Sequence, residues 1–197
     1  MEIIPTTNNP VASGVLSRYL TKWSKITSNN FILRIISEGY KIQFVENPSL
    51  PAQEFNSNKN RNSHPAIQEQ VQKFLASGAI SNISFSSDLI LSRVFTVKKS
   101  NGKDRMIIDL SNLNKQISKV SFKMESHSKL IELIENNDFM ASIDLADAFF
   151  HISLHPSHRK FVAFEWEGKF YHFNVLPFGL TSSTIFFKSS KTSDYIS

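Results

Sequence analysis

The spacing of the hydrophobic residues changes once along this chain, and that change limits the fold to a mixture of helix and sheet. Up to Gly78 the apolar residues recur three and four apart. Leu16, Tyr19, Leu20, Trp23 and Ile26 follow helical spacing, and Thr27, Ser28, Asn29 and Asn30 break it. A second short helix is expected from Phe31 to Ser37, with Gly39 placed to end it. Pro65 opens a third, in which Ile67, Val71, Phe74 and Leu75 share a face before Gly78 closes it. From Ser92 onward the pattern is that of strands. Two β-rich runs flank Asn101-Gly102, a strong local hairpin signal. Phe161 to Trp166 and Phe170 to Val175 form a second hairpin across Glu167-Gly168-Lys169. Between the hairpins, Ser126 can cap a short helix carrying Leu130, Leu133 and Ile134, and Phe139 to Leu145 reads as a buried strand. The segment from Thr181 reads as a short or broken helix running into a polar tail. Elements in this order give an α+β fold.

Composition sets the outer bounds. A chain of 197 residues suits one domain or two small ones, and 41% hydrophobic residues with 17 Phe suffice for a sizeable core. The stretch 46–63 is rich in Asn, Ser and Pro and reads as a linker. It divides a helical lead segment, 1–45, from a larger unit, 64–197. There is no Cys, which excludes disulfides, thiol catalysis and Cys-ligated metal. The most apolar windows are short and interrupted by charge, so no membrane contact is expected, and the N-terminus shows no secretory signal. An intracellular location, cytoplasmic or nuclear, is therefore expected. The formal charge of +5 permits nucleic-acid binding without demonstrating it.

Three groups of residues could carry chemistry. In 139–154, Asp144 ends an otherwise apolar strand, where a carboxylate must be hydrogen-bonded, paired or bound to a cation. Asp147 follows three residues later. Taken alone, either Asp fits equally well as a cap for the next helix. Around the first hairpin tip, Lys98, Lys99, Lys103 and Arg105 stand against one carboxylate, Asp104. Such a run is usually a solvated turn, and could otherwise balance phosphate charge. His151, His155 and His158 have spacings open to zinc, but Pro156 interrupts any helix that would align them. No zinc site is expected.

Read together, residues 92–188 resemble reverse transcriptases over several motifs in the right order. Residues 93–115 resemble the fingers hairpin, 142–152 the first palm carboxylate motif, and 174–180 the loop that follows. Residues 122–126, 155–161 and 22–44 are similar to the polymerases of DIRS-type retrotransposons, so the likeness covers most of the chain from Leu16. It implies reverse-transcriptase fingers plus an incomplete palm, preceded by the short helical segment. It also implies an RNA-directed DNA polymerase using two divalent ions, Mg²⁺ in this family, on an RNA or DNA template-primer with deoxynucleotides. Asp144 matches the catalytic metal-binding Asp, and the backbone carbonyl of Leu145 a further metal ligand. Asp147 and Ala148 match positions whose amides approach the triphosphate, and Phe149 the bulky residue that closes the sugar pocket. Lys98 and Arg105 match fingers cations over the incoming phosphates. Phe178 and Gly179 match the loop along nucleotide and template, with Asp109 and Asn114 bracing the fingers. His155 and His158 already have a place in the family pattern.

The sequence also departs from that pattern. Only 18 residues follow Gly179, and they hold no Tyr-x-Asp-Asp; Asp194-Tyr195 is a lone Asp in the wrong order. Thr181-Ser182-Ser183-Thr184 stands where relatives carry a small residue and then Ala-Pro. The expectation is therefore a truncated reverse transcriptase, inactive as this chain. Two alternatives remain: a non-catalytic nucleic-acid-binding remnant, or a partner of a full-length polymerase.

Overall fold

In the computed structural model, residues 13–46, 48, 64–98, 100, 102–118, 139 and 147–181 are described. A 3-10 turn, Val15–Tyr19, runs into helix α1, Leu20–Ile26. The inward face is Leu16, Leu20 and Trp23, four and three residues apart, whereas Tyr19 and Ile26 point outward at 48% and 60% exposure. Asn29 caps helix α2, Asn30–Glu38, its Oδ1 accepting from the Phe31 and Ile32 amides at 3.0 and 3.4 Å. Gly39 ends α2 at φ 93°, and a Cβ there would lie 2.7 Å from the His155 nitrogen, so only glycine fits this approach. Helix α3, Pro65–Ser77, begins and ends where the Pro and Gly78 signals place it.

The strands form two sheets. Val94–Lys98 (β3) and Asp104–Ile108 (β4) make a two-stranded antiparallel ribbon with Lys98 opposite Asp104. A four-stranded sheet has the order β1-β6-β5-β2, with β1 Ile80–Ile83, β2 Leu91–Ser92, β5 Ala163–Trp166 and β6 Lys169–Phe173. The β5–β6 hairpin turns tightly on Glu167 and Gly168, both at positive φ, with Trp166 opposite Lys169. Strand β2 runs parallel to β5 and β1 antiparallel to β6. Neither β1 nor β2 is evident in the sequence pattern. The first is four residues with two polar ones in the middle, and the second is too short to show a period. Residues Phe161 and Val162, expected to begin the hairpin, instead complete a 3-10 turn, Pro156–Val162.

Helix α3 touches both the ribbon and the four-stranded sheet. Its Phe74 ring lies 5.2 Å from Phe150 and 5.8 Å from Phe173, centroid to centroid, and Trp166 donates to Gln68 Oε1 at 3.2 Å. The lead segment shares this core, since Ile32, Ile35, Ile36, Tyr40 and Ile42 are buried with Ile67, Val71 and Phe173. Residues 40–45 then tie two regions together. Tyr40 N–H donates to the Ser153 carbonyl at 2.7 Å, and Val45 N–H to the Gln116 carbonyl at 2.9 Å. The Ser126-capped helix, the strand leading to Asp144 and the tail beyond Thr181 lie outside the described residues, as does 49–63 within the expected linker.

Candidate nucleic-acid and nucleotide site

The ribbon has an inner and an outer face, because cross-strand partners in an antiparallel pair share a side and successive residues alternate. Val94, Thr96, Met106 and Ile108 form the inner face, with Val94, Met106 and Ile108 buried. Lys98 belongs to that parity and pairs with Asp104, Nζ to Oδ1 at 3.3 Å. His64, just before α3, lies beside the same carboxylate: its Nε2 is 3.8 Å from Asp104 Oδ2 and 3.4 Å from Thr96 Oγ1. Arg105 lies opposite Val97 on the outer face with Phe95 and Ile107. Phe95 and Val97 remain 43% and 38% exposed. The ribbon therefore holds Lys98 and Arg105 on opposite faces.

The base of the ribbon leads into α4, Ser111–Asn114. Asp109 accepts from the Ser111 amide at 3.1 Å and from Arg93 Nη2 at 3.0 Å. The Ser111 hydrogen bonds, followed by Arg93, hold its carboxyl below the ordinary range. Asn114 reaches across to the loop after β6. Its Nδ2 donates to the Gly179 carbonyl at 2.8 Å, and its Oδ1 accepts from the Thr181 amide at 2.9 Å. One side chain thus brackets that loop as a neighbouring strand would.

Within the loop, Leu176 N–H donates to the Ile152 carbonyl at 3.0 Å, and Leu176, Pro177 and Leu180 are buried. Gly179 is exposed at φ 86°, and a Cβ there would meet nothing within 4 Å. Its backbone is open to close approach, and the positive φ restricts the position to glycine. Phe178 turns the other way, its ring 6.1 Å from Phe74 and 6.4 Å from Phe150. That half-buried ring packs against the aromatic core from its edge.

Asp147 is exposed and adopts the left-handed conformation, φ 48° and ψ 41°, at the start of a 3-10 turn, Ala148–His151. The Phe150 amide donates to its carbonyl at 2.7 Å. A non-glycine residue in this region is uncommon, and Asp is among those that tolerate it. Ala148 and Phe149 follow, both half-buried, with Phe149 against the core and Phe150 buried beneath. Asp147, Ala148 and Phe149 are thus contiguous on one turn. Asp144 and Leu145 lie outside the described residues.

Two supporting groups were not evident from the sequence. His158 Nδ1 accepts from the Ile42 amide at 3.1 Å, and burial, then His155, Lys41 and Lys160, lower its pKa. Arg159 donates to the Leu154 carbonyl and, at 3.1 Å, to Asn174 Oδ1; Asn174 Nδ2 in turn donates to the Gly78 carbonyl at 3.0 Å. The advance signal was that His158 and Arg159 fall in residues 155–161, which carry part of the resemblance, without any indication of what they bond to. His155 Nδ1 is engaged with Ser157 Oγ at 2.8 Å, so both these histidines serve local structure.

Comparison with known proteins gives the same direction. Residues 97–190 match the family described as "Reverse transcriptase (RNA-dependent DNA polymerase)". The chain is 26% identical over 128 residues to a Pro-Pol polyprotein of Simian foamy virus type 1, covering 65% of this chain and 11% of that one. It is 31% identical over 133 residues to a Pol polyprotein of Equine infectious anemia virus (isolate 1369), covering 62% of this chain and 11% of that one. A solved foamy viral protease-reverse transcriptase in complex with dsDNA matches with a TM-score of 0.60 at 18% identity, over 95% of this chain and 42% of that chain. The chain thus spans about a tenth of the length of these two polyproteins and under half of the solved structure, and its α+β architecture is a partial reverse-transcriptase fold.

Proposed function

We propose that this chain is the fingers and first palm portion of a reverse transcriptase of a DIRS-type retroelement, belonging to machinery for template-directed DNA synthesis. Asn114 carries the reading. It fastens the base of the basic ribbon to the Gly179 loop, so that the two motif-bearing regions form one support, and the turn of Asp147, Ala148 and Phe149 packs on the same core through Phe149. The ribbon's outer face, with Arg105 beside half-exposed Phe95 and Val97, suits a nucleic-acid strand better than the inner face, where Lys98 is already paired. The partners are a template-primer and deoxynucleotides, and the setting is intracellular, in cytoplasm or nucleus.

The donor set does not fit a two-ion Mg²⁺ centre. Asp144 and the Leu145 carbonyl are the ligands that the motif supplies, and the sequence contains no Tyr-x-Asp-Asp. We infer that the 197-residue chain binds nucleic acid without polymerising, and that a full-length polymerase would be its partner in any active assembly. The test is titration of a labelled RNA·DNA hybrid at low salt. Arg105→Gln should weaken binding more than Lys98→Gln, because removing Lys98 mainly frees Asp104. Equal effects would remove the distinction between the faces, and no binding by the unaltered chain would defeat the nucleic-acid reading.

A further inference from the structure

The lead segment carries a second basic surface, on an element that neither the ribbon nor the palm motif includes. From Ser13 to Ser37 the chain holds Arg18, Lys22, Lys25 and Arg34 and no carboxylate. Arg18, Lys22 and Lys25 are four and three residues apart, each two positions beyond Leu16, Leu20 and Trp23. The apolar set packs on the core, so the cations occupy the opposite, outward side, and all three are exposed. Like charges four apart weaken a helix, and none of the three makes an ion pair among the described residues. The Lys22 ammonium lies 5.5 Å from the Tyr19 ring centroid, which holds it along the surface.

We propose that this α1 face is a contact for the sugar-phosphate backbone of a nucleic-acid duplex, separate from the ribbon. Arg18, in the 3-10 turn, and Lys25, in α1, are seven residues apart, about 10 Å along the axis, the rise of roughly three nucleotide steps on one strand. The support is firmly placed: Ser13 N–H donates to the Ser77 carbonyl at 2.9 Å and Gly14 N–H to the Phe150 carbonyl at 2.8 Å. Phe150 is three residues beyond Asp147, so the residues just before the stripe are fastened to the turn within the first carboxylate motif. An anionic membrane would also attract these cations, but a helix lying on lipid needs its apolar face free. Here Leu16, Leu20 and Trp23 face the core, and only Tyr19, beside the Lys22 ammonium, and Ile26, at the end of α1, point outward.

The experiment is anisotropy titration of the full chain with an RNA·DNA hybrid between 50 and 200 mM salt. It compares the unaltered protein, the triple variant Arg18→Gln, Lys22→Gln, Lys25→Gln, and Arg105→Gln alone. Circular dichroism confirms that each variant is folded. The triple variant should flatten the plot of log affinity against log salt by about two to three, and Arg105→Gln by about one. A folded triple variant with an unchanged slope overturns the α1 contact while leaving the ribbon reading intact. A change in the triple variant alone keeps the α1 contact and removes the ribbon. No binding by the unaltered chain at 50 mM overturns both, and tighter binding to phosphatidylserine vesicles than to the hybrid overturns the nucleic-acid assignment of α1.

Discussion

Asn114 has two functional groups and uses both on one loop, which makes it a sensitive probe of how the ribbon base is held. Replacing it with Ala leaves the Gly179 carbonyl and Thr181 amide to water, since both are exposed, so only the net worth of two hydrogen bonds is lost. Asn114→Ala should lower unfolding free energy by about 1–2 kcal/mol. It should also abolish amide-exchange protection at Thr181, and NMR or mass-spectrometric exchange at that amide checks the local claim. His158 gives a second residue-scale expectation. Its Nδ1 must be unprotonated to accept from Ile42, and burial beside His155, Lys41 and Lys160 depresses its pKa below the ordinary 6.5. A folded pKa below the unfolded one means that the unfolded chain takes up the proton first. The stabilisation is therefore complete above about pH 6.5 and is lost as pH falls through the interval below it. The thermal midpoint should drop across that interval, and His158→Asn, which keeps an acceptor without titrating, should reduce the slope. His172 is also depressed, by burial and then Arg159, so part of the slope should remain.

At the scale of elements, α3 is the member that both sheets depend on. Phe74 fills the space between Phe150, Phe173 and Phe178, and is 5% exposed. Phe74→Ala should cost about 3–5 kcal/mol in urea unfolding, since both the ring's burial and the aromatic contacts go. A loss below about 1 kcal/mol would show that the cluster can collapse around the gap. The same elements show what local sequence can and cannot reveal. Helix α3 and the two hairpins carry their own stop signals and were legible, because Pro65, Gly78 and the Glu167-Gly168 turn act within a few residues. Strands β1 and β2 are strands only because β6 and β5 lie beside them, and no period within two to four residues records that. The opposite facing of Lys98 and Arg105 follows from register, with Val97 opposite Arg105, and register depends on the five residues that join the strands. Phe178 is a similar case. Its place in the loop motif did not show that one side of its ring meets Phe74, a residue more than a hundred positions away.

For the whole molecule the question is whether a support this well formed is enough for catalysis. Fingers ribbon, loop and lead segment share one core, and residues 40–45 hydrogen-bond to both the ribbon base and the turns after Asp147. Binding surfaces need little more than such a scaffold, because phosphate contacts tolerate imprecise placement. Nucleotidyl transfer asks for more. Two divalent ions must sit about 3.5–4 Å apart, and on the reading proposed above one motif carboxylate does not fix both. Of the two motif carboxylates only Asp144 matches a metal ligand, so on that reading the second ion has no assigned ligand set within these 197 residues. The purified chain should therefore bind an RNA·DNA hybrid in a salt-dependent manner and yet incorporate no labelled deoxynucleotide into a template-primer with Mg²⁺ or Mn²⁺. An extension product from the 197-residue chain, absent in the Asp144→Asn variant, would show that its own residues complete the metal site. A product that survives Asp144→Asn would instead point to a contaminating polymerase.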